Sequence, residues 1–311
     1  MGEKMNDYVI ETRNLSKRYS KDTVVNSIDM RVEKGKIYGL LGKNGAGKTT
    51  TMCMLLNLIS SSSGEIFLFG KDPGKYSSEV YPKIGSIIET PGFYENLTAY
   101  ENLKVISKLR GKYNPSNINT VLEIVNLENA KSKKFKDFSL GMKQRLGIAA
   151  AIMHSPELLI LDEPINGLDP VGIKEIRTLL KRLTHEFGIT ILISSHILSE
   201  IEIIADVIGF MDEGVLIEEI SKEDLFKRLD KFVEFEVSNI DLACEILKKL
   251  ELKENYDFTI EKDEGTIRLY SNLELRDQFN ALFVNSGIKV KKVNLCEENL
   301  EKFFLRMIQN N

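Results

Sequence analysis

Residues 42–49, GKNGAGKT, have the types and spacing needed to hold the phosphates of a nucleotide. They fit the pattern GxxxxGK[ST], follow the apolar run IYGLL and precede a predicted helix. Glycines let backbone N–H groups curl around phosphates, and the start of a helix adds its positive end. Lys48 is placed to reach the β- and γ-phosphates, and Thr49 to bind Mg²⁺. The predicted nucleotide-binding residues here are Gly42, Asn44, Gly45, Ala46, Gly47, Lys48, Thr49 and Thr50.

Two carboxylates form the second group of residues that could do chemistry. Asp162 and Glu163 follow four apolar residues, LLIL, and precede Pro164, so they are predicted at the tip of a buried strand. Asp162 suits the Mg²⁺ shell, and Glu163 suits polarising the water that attacks the γ-phosphate. Together with residues 42–49 they predict a phosphate-transferring site, although this pattern alone does not separate GTPases, kinases and transport ATPases.

The elements that must position these residues alternate between strand and helix. Apolar strand runs at residues 8–11, 24–32, 37–41, 84–88, 158–161, 189–194 and 207–211 are separated by helical runs at 49–58, 175–187 and 198–205. This alternation predicts an α/β fold with a largely parallel sheet. Residues 98–154 show amphipathic helical patterns with almost no strand pattern, which predicts a helical subdomain inserted into the core.

After residue 220 the pattern changes. Residues 221–230 are predicted to be a helical linker, and residues 231–311 show a βαββαβ order, which predicts a small ferredoxin-like α+β domain. Residues 1–220 are then the nucleotide-binding domain.

Composition and charge narrow the classes of protein. The chain has 311 residues, a net charge of −4 and three cysteines without CxxC spacing, so stable nucleic-acid binding, a disulfide framework and a zinc site are not expected. No apolar run approaches the roughly 20 residues of a transmembrane helix, and no signal peptide is evident. We expect a cytoplasmic protein whose membrane role requires a partner.

A third motif makes the interpretation specific. Residues 138–145, FSLGMKQR, precede Asp162 by a short interval and are read most simply as a helix capped by Ser139. In that position and order, however, they resemble the signature of the ABC transporter ATPase family. The resemblance implies that Ser139 and Gly141 contact the γ-phosphate held by a second subunit. Leu140 and Met142 depart from the usual glycine and glutamine.

Further residues match the family in order. Residues 166–170, NGLDP, resemble the loop at the dimer seam, which adds Asp169 to the nucleotide-binding residues, and Ser194-Ser195-His196 resembles the segment carrying the catalytic switch histidine. Tyr19 resembles the aromatic residue that stacks on adenine, with surface packing as the alternative.

The resemblance covers residues 8–220 and implies a P-loop NTPase core, ATP and Mg²⁺ as cofactors, and Glu163 and His196 as catalytic residues. It also implies a homodimer, or a dimer with a similar ATPase subunit, at the inner face of the cell membrane beneath integral membrane permease subunits.

One departure points to a subfamily. Most members have glutamine at the position of Glu89, where it touches Mg²⁺ and the permease, so Glu89 is a candidate metal and nucleotide contact. This glutamate, the SLGM signature and a C-terminal extension that includes residues 297–305 resemble the bacitracin and lantibiotic resistance, or self-immunity, subfamily, whose members clear antimicrobial peptides. The alternatives are an export ATPase for another substrate and a non-transport ABC ATPase.

Overall fold

The computed structural model describes residues 8–89, 92–111, 113–228, 231–254, 256–261 and 265–297. The chain divides into two compact units, Met1–Lys222 and Glu223–Asn310. The first unit is an α/β structure and the second a small α+β structure, as the sequence predicted. The C-terminal residues 298–305, which contribute to the subfamily resemblance, lie outside the described residues, as do positions 229 and 230 of the predicted linker.

The first unit contains ten strands and seven helices in described residues. Its strands are β1 (Tyr8–Tyr19), β2 (Asp22–Ile28), β3 (Arg31–Glu33), β4 (Ile37–Leu41), β5 (Ser63–Leu68), β6 (Ile84–Ile87), β7 (Leu158–Leu161), β8 (Thr190–Ser195), β9 (Val207–Asp212) and β10 (Val215–Ser221). Its helices are α1 (Lys48–Leu55), α2 (Ser77–Val80), α3 (Ala99–Leu109), α4 (Pro115–Ile124), α5 (Leu140–Ile152), α6 (Pro170–Phe187) and α7 (Leu198–Ile204). Short 3₁₀ turns lie at Tyr81–Lys83, Glu128–Ala130 and Phe135–Asp137.

The main sheet has six strands in the order β10-β9-β4-β8-β7-β6. All are parallel to their neighbours except β10, which pairs antiparallel with β9. Every residue of β4, β7 and β8 is buried, because both faces of the central strands are covered. This explains why these strands read as continuous apolar runs and not as alternating patterns.

A second, antiparallel sheet is formed by β2, β1 and β3, with β5 also paired to β1. The prediction of one strand over residues 24–32 was wrong, because the ladder is interrupted at residues 29 and 30: β2 ends at Ile28 and β3 starts at Arg31, and both pair antiparallel with β1. The strand predicted over residues 8–11 was too short. β1 continues to Tyr19 because register shifts let it bend and exchange partners along its length.

Between residues 98 and 154, the residues that the structure describes form helices α3, α4 and α5 and no strand. Each helix has a capping residue that the sequence supplies. Thr98 and Glu101 form a capping box at α3, Asn114 caps α4, and the Ser139 side chain accepts a hydrogen bond from the Met142 N–H at the start of α5.

The second unit contains α8 (Lys222–Arg228, starting at the boundary), β11 (Lys231–Val237), α9 (Ile240–Lys249), β12 (Phe258–Glu261), β13 (Thr266–Leu269), α10 (Arg276–Asn285) and β14 (Val290–Glu297), with a 3₁₀ turn at Leu273–Leu275. Its sheet has the order β12-β13-β11-β14, antiparallel throughout. A βαββαβ chain with this strand order is a split β-α-β arrangement. Val233, Phe235, Phe258 and Phe283 lie in its apolar core.

Candidate functional site

The predicted site residues of the first unit converge at one edge of the main sheet. β4, β8, β7 and β6 are parallel, so their carboxyl ends lie side by side. The register pairs Leu41 with Ser195, and Leu161 with both Ile193 and Ile87. The segments that follow these four strands carry Lys48, His196, the pair Asp162 and Glu163, and Glu89.

The loop after β4 forms a glycine-lined cradle that leads into α1. Gly47 has φ of 99°, and a Cβ there would lie 2.7 Å from both Met211 Cε and the Val24 carbonyl oxygen. Only glycine fits this turn, which aims the first N–H groups of α1 into the cradle. Asn44 and Gly45 are exposed, Ala46 is buried, and Thr50 is partly buried on the first turn.

Lys48 is buried at the base of the cradle, and only 6% of its side chain is exposed. Its Nζ donates to the carbonyl oxygens of Gly42 at 2.6 Å and Lys43 at 3.1 Å. Glu163 Oε1 lies 3.5 Å from the same nitrogen. The two carbonyls fix the position of the ammonium group, so its charge faces the mouth of the cradle and the tip of β7.

Asp162 is held by two hydroxyl groups. Thr49 Oγ1 donates to Asp162 Oδ2 at 2.8 Å, and Ser194 Oγ donates to Oδ1 at 2.6 Å. The Asp162 backbone N–H also donates to the carbonyl of Ile87 at 2.9 Å. The predicted metal ligands Thr49 and Asp162 are thus in direct contact.

Glu163 adopts a left-handed backbone conformation, with φ of 46°. This conformation is uncommon for a residue with a side chain, and it marks a sharp turn directly after β7. Glu163 Oε2 accepts a hydrogen bond from His196 Nδ1 at 2.8 Å. The structure therefore brings both predicted catalytic residues, Glu163 and His196, together with Lys48.

Ser194 was part of a recognised segment, but sequence reasoning gave it no role. It is fully buried, its hydroxyl donates to Asp162, and the same oxygen accepts the backbone N–H of Glu163 at 2.8 Å. One side chain therefore fixes both carboxylate residues. The only signal in the sequence is a serine at the end of an apolar strand, which is too common to identify such a contact.

Glu89 is exposed and also has a left-handed backbone, with φ of 61°. Glu89 lies close enough to Cys53, which is one helical turn beyond Thr49 on α1, for its charge to affect the Cys53 thiol. The pKa of the Cys53 thiol is raised, chiefly by burial and then by the negative charges of Asp162 and Glu89. Both carboxylates thus act on the same side of α1.

Ser139, Gly141 and Asp169 lie at the starts of helices α5 and α6. Asp169 Oδ1 accepts the Gly172 N–H at 3.0 Å and caps α6. A Cβ on Gly141 would lie 3.8 Å from Gly172 Cα, so the two helix starts are neighbours. Among the described residues, no hydrogen bond or ion pair joins Ser139 or Gly141 to the cradle.

Tyr19 ends β1 and pairs with Asp22, and 47% of its surface is exposed. Lys17 Nζ lies 4.8 Å from its ring centroid. The following strand passes the cradle, where the Val24 carbonyl approaches Gly47. An exposed ring beside this strand is accessible to a planar base.

The donor set near Asp162 fits Mg²⁺, because the Thr49 hydroxyl and the Asp162 carboxylate are the oxygen ligands that this ion prefers. The described residues contain no cluster of three or more His, Cys, Asp and Glu able to hold a metal alone. So few protein ligands suit an ion whose remaining ligands are phosphate oxygens of a bound nucleotide.

In the described part of the chain, no helix is long and apolar enough to cross a bilayer.

Comparison with known proteins gives a consistent result. The model of the family described as ABC transporter matches residues 25–166. The bacitracin transport ATP-binding protein of Enterococcus faecalis is 55% identical over 305 residues, which cover 97% of each chain. The lantibiotic transport ATP-binding protein of Streptococcus pyogenes is 50% identical over 67% of this chain and 89% of its own length. Among solved structures, cbiO1 from Clostridium perfringens, part of an ABC transporter complex, is 26% identical with a TM-score of 0.66, covering 79% of this chain and 97% of that one. The chain belongs to the ABC transporter family and is one of its ATP-binding, ATP-hydrolysing subunits.

Proposed function

We propose that this subunit powers a membrane transporter that removes peptide antibiotics of the bacitracin or lantibiotic type and so protects the cell. The observation that carries the proposal is the 55% identity to a bacitracin transport ATP-binding protein, which spans 97% of both chains and hence both units. The transporter's membrane-spanning part is supplied by permease subunits, with this chain bound at the inner face of the membrane.

In the proposed mechanism, the cradle binds the ATP phosphates and Tyr19 stacks on the adenine. Lys48 is already held by two backbone carbonyls, so little side-chain freedom is lost when its ammonium group binds phosphate oxygens. Thr49 and Asp162 would hold Mg²⁺, with Glu89 as a further contact near the metal. The ion supplies positive charge that offsets the charge developing on the phosphates.

Glu163 is the proposed general base for the attacking water. Its carboxylate lies 3.5 Å from Lys48 Nζ, so a γ-phosphate held by Lys48 is adjacent to the base. The His196 N–H holds one carboxylate oxygen in place, and the other faces Lys48. In this proposal His196 also donates to the γ-phosphate, after its ring N–H leaves Glu163.

A second subunit, either another copy of this chain or a similar ATPase, completes each site through Ser139, Gly141 and Asp169. The surface around these residues supports this arrangement because it displays apolar side chains. Leu140 is 47% exposed and Val171 is 64% exposed at the starts of α5 and α6.

The decisive experiment expresses the chain with its permease in a peptide-sensitive bacterial strain and measures minimal inhibitory concentrations. Bacitracin and a lantibiotic should be tolerated at higher concentrations, and an unrelated small antibiotic should not. Tolerance of the unrelated compound alone would assign the ATPase to another substrate. In a second test, an affinity-tagged form of the chain is purified from its host and the proteins that accompany it are identified. Recovery of only non-membrane partners would overturn the transport function.

Glu89→Gln tests the residue that distinguishes the subfamily. Removing one negative charge near the metal should raise the Mg²⁺ concentration for half-maximal hydrolysis by about threefold, because the carboxylate no longer attracts the ion. Peptide protection should fall in the same strain. Glu95→Gln, the same charge change at an exposed position outside the site, is the control. Unchanged Mg²⁺ dependence and unchanged protection would remove Glu89 from the mechanism.

Ser194→Ala tests the hydroxyl that holds both carboxylate residues. Loss of a buried hydrogen-bond partner costs about 1–2 kcal/mol, so kcat should fall about tenfold while KM for ATP changes little. Ser194→Thr keeps the hydroxyl and should restore most of the rate. If Ala and Thr variants of equal thermal stability lose the same activity, the hydroxyl has no positioning role.

A further inference from the structure

We propose that the helical segment of the first unit carries a surface that binds the anionic phospholipid headgroups of the membrane. The lysine–tyrosine surface consists of Lys104, Lys108, Lys131 and Lys134 with Tyr100 and Tyr113. The inference rests on the proposed function only in that a transport subunit works beside a membrane.

Charge is distributed unevenly along the chain. Residues 98–154 contain ten Lys and Arg but four Asp and Glu, a net charge of +6 in a chain whose total is −4. A basic segment within an acidic protein is the pattern expected for local electrostatic binding to an anionic partner. Neighbouring Lys133 and Lys136 are exposed and add to the positive charge.

The contacts show that the six residues form one continuous surface. Tyr100 shares a side-chain hydrogen bond with Tyr113 and interacts electrostatically with Lys104 and Lys131. Lys104 and Lys108 lie 5.8 and 5.7 Å from the ring centroid of Tyr113. The pKa of the Glu101 carboxyl is lowered, chiefly by hydrogen bonds from Thr98, and Lys104 and Lys134 contribute. Lys134 therefore lies beside the same group.

The four ammonium groups form no ion pair in the part of the chain that the structure describes. Among the described residues, no carboxylate lies within 4.0 Å of the Nζ of Lys104, Lys108, Lys131 or Lys134. Glu101 is the acidic neighbour, and its Oε2 is occupied by the Thr98 N–H at 2.8 Å and the Thr98 hydroxyl at 2.9 Å. Glu101 offsets part of the charge of Lys104 and Lys134, but it forms no ion pair with either, so both ammonium groups can still bind an external anion.

The surface is rigid because its two halves are hydrogen-bonded to each other. The N–H groups of Tyr100 and Ala99 donate to the carbonyls of Lys131 and Lys133 at 3.1 and 3.2 Å, and the Phe135 N–H donates to the Leu97 carbonyl at 2.9 Å. The lysines project from an ordered backbone, not from a tail. Pre-ordered groups lose less conformational freedom on binding.

The mixture of lysine and tyrosine favours lipid headgroups as the partner. Basic residues near an anionic leaflet attract it, and tyrosine is enriched at membrane interfaces because its ring is apolar and its hydroxyl is polar. Tyr113 is 41% exposed within the surface, and nearby Tyr94 is 64% exposed.

The test measures sedimentation of the purified full chain with vesicles of phosphatidylcholine alone or mixed with phosphatidylglycerol. Binding should require phosphatidylglycerol and weaken as salt rises from roughly 0.1 to 0.5 M. The double variant Lys131→Gln, Lys134→Gln should weaken partitioning onto the vesicles about 30-fold, because each lysine contributes about fivefold. The matched control, Lys34→Gln with Lys36→Gln, removes the same charge at exposed positions before β4 and should bind like wild type. ATPase rate and thermal stability should be unchanged in both variants.

Equal binding to neutral vesicles, or equal losses in the two double variants, would overturn the inference. Binding to a duplex oligonucleotide that is lost in the Lys131, Lys134 variant, without vesicle binding, would assign the surface to nucleic acid instead. The vesicle assay needs no permease. Absence of vesicle binding with intact peptide protection therefore rejects this inference alone, and vesicle binding without protection rejects the proposed function alone.

Discussion

Glu163→Gln is expected to bind ATP with near-normal affinity and to hydrolyse it about 100- to 10,000-fold more slowly, the range that a general base contributes. The amide has the size of the carboxylate, but it cannot accept a proton from water. Its oxygen can still accept the His196 N–H that now holds Glu163. Binding should persist because Lys48 and the cradle are unchanged, so a closed dimer should accumulate.

Three measurements check this prediction: nucleotide affinity, single-turnover hydrolysis and the sedimentation coefficient with ATP. Glu186→Gln is the control, since Glu186 lies on the exposed side of α6 paired with Arg182. It should hydrolyse ATP normally. Near-normal turnover of Glu163→Gln would exclude Glu163 as the base, and His196 would become the next candidate to substitute.

The arrangement of the main site was predictable because parallel strands impose it. The cradle, the pair Asp162 and Glu163, and His196 each follow an apolar run, and parallel strands place their carboxyl ends at one edge. Short-range patterns identified these residues individually. The topology then required them to be close in space.

Contacts that depend on side-chain placement were not predictable. The ion pair between Lys48 and Glu163, and the double contact of Ser194, join residues separated by more than 30 positions. Neither is specified by periodicity or by a local turn. The left-handed backbone of Glu163 was also missed, since nothing in its residue type favours positive φ.

The two strands β2 and β3 were merged for a related reason. Residues 24–32 have a strand-like composition throughout, but the interruption after Ile28 is fixed by β1. The Thr12 hydroxyl of β1 donates to the Ile28 carbonyl at 2.9 Å and accepts the Met30 N–H at 2.9 Å. A tertiary contact therefore overrides local propensity here.

Lys48→Ala is expected to reduce ATP affinity about 100-fold and to abolish measurable hydrolysis. The ammonium group is buried and is held by the Gly42 and Lys43 carbonyls, so a phosphate would lose a fixed, partly dehydrated charge. Its loss would also leave the Glu163 carboxylate without its cation. That uncompensated negative charge would repel the phosphates and add to the lost attraction.

The matched control is Lys43→Ala, which removes the adjacent, exposed lysine while keeping the backbone carbonyl that holds Lys48. Calorimetric titration with ATP should separate the two variants by at least tenfold in affinity, since only the buried charge is fixed toward the cradle. Equal losses would mean that net charge around the loop, and not the placement of one ammonium group, governs binding.

The double variant Lys48→Ala with Glu163→Gln distinguishes the two contributions of Lys48. Partial recovery of ATP affinity in this double variant would show that repulsion from the unpaired carboxylate causes part of the loss. No recovery would attribute the loss to the missing ammonium group alone.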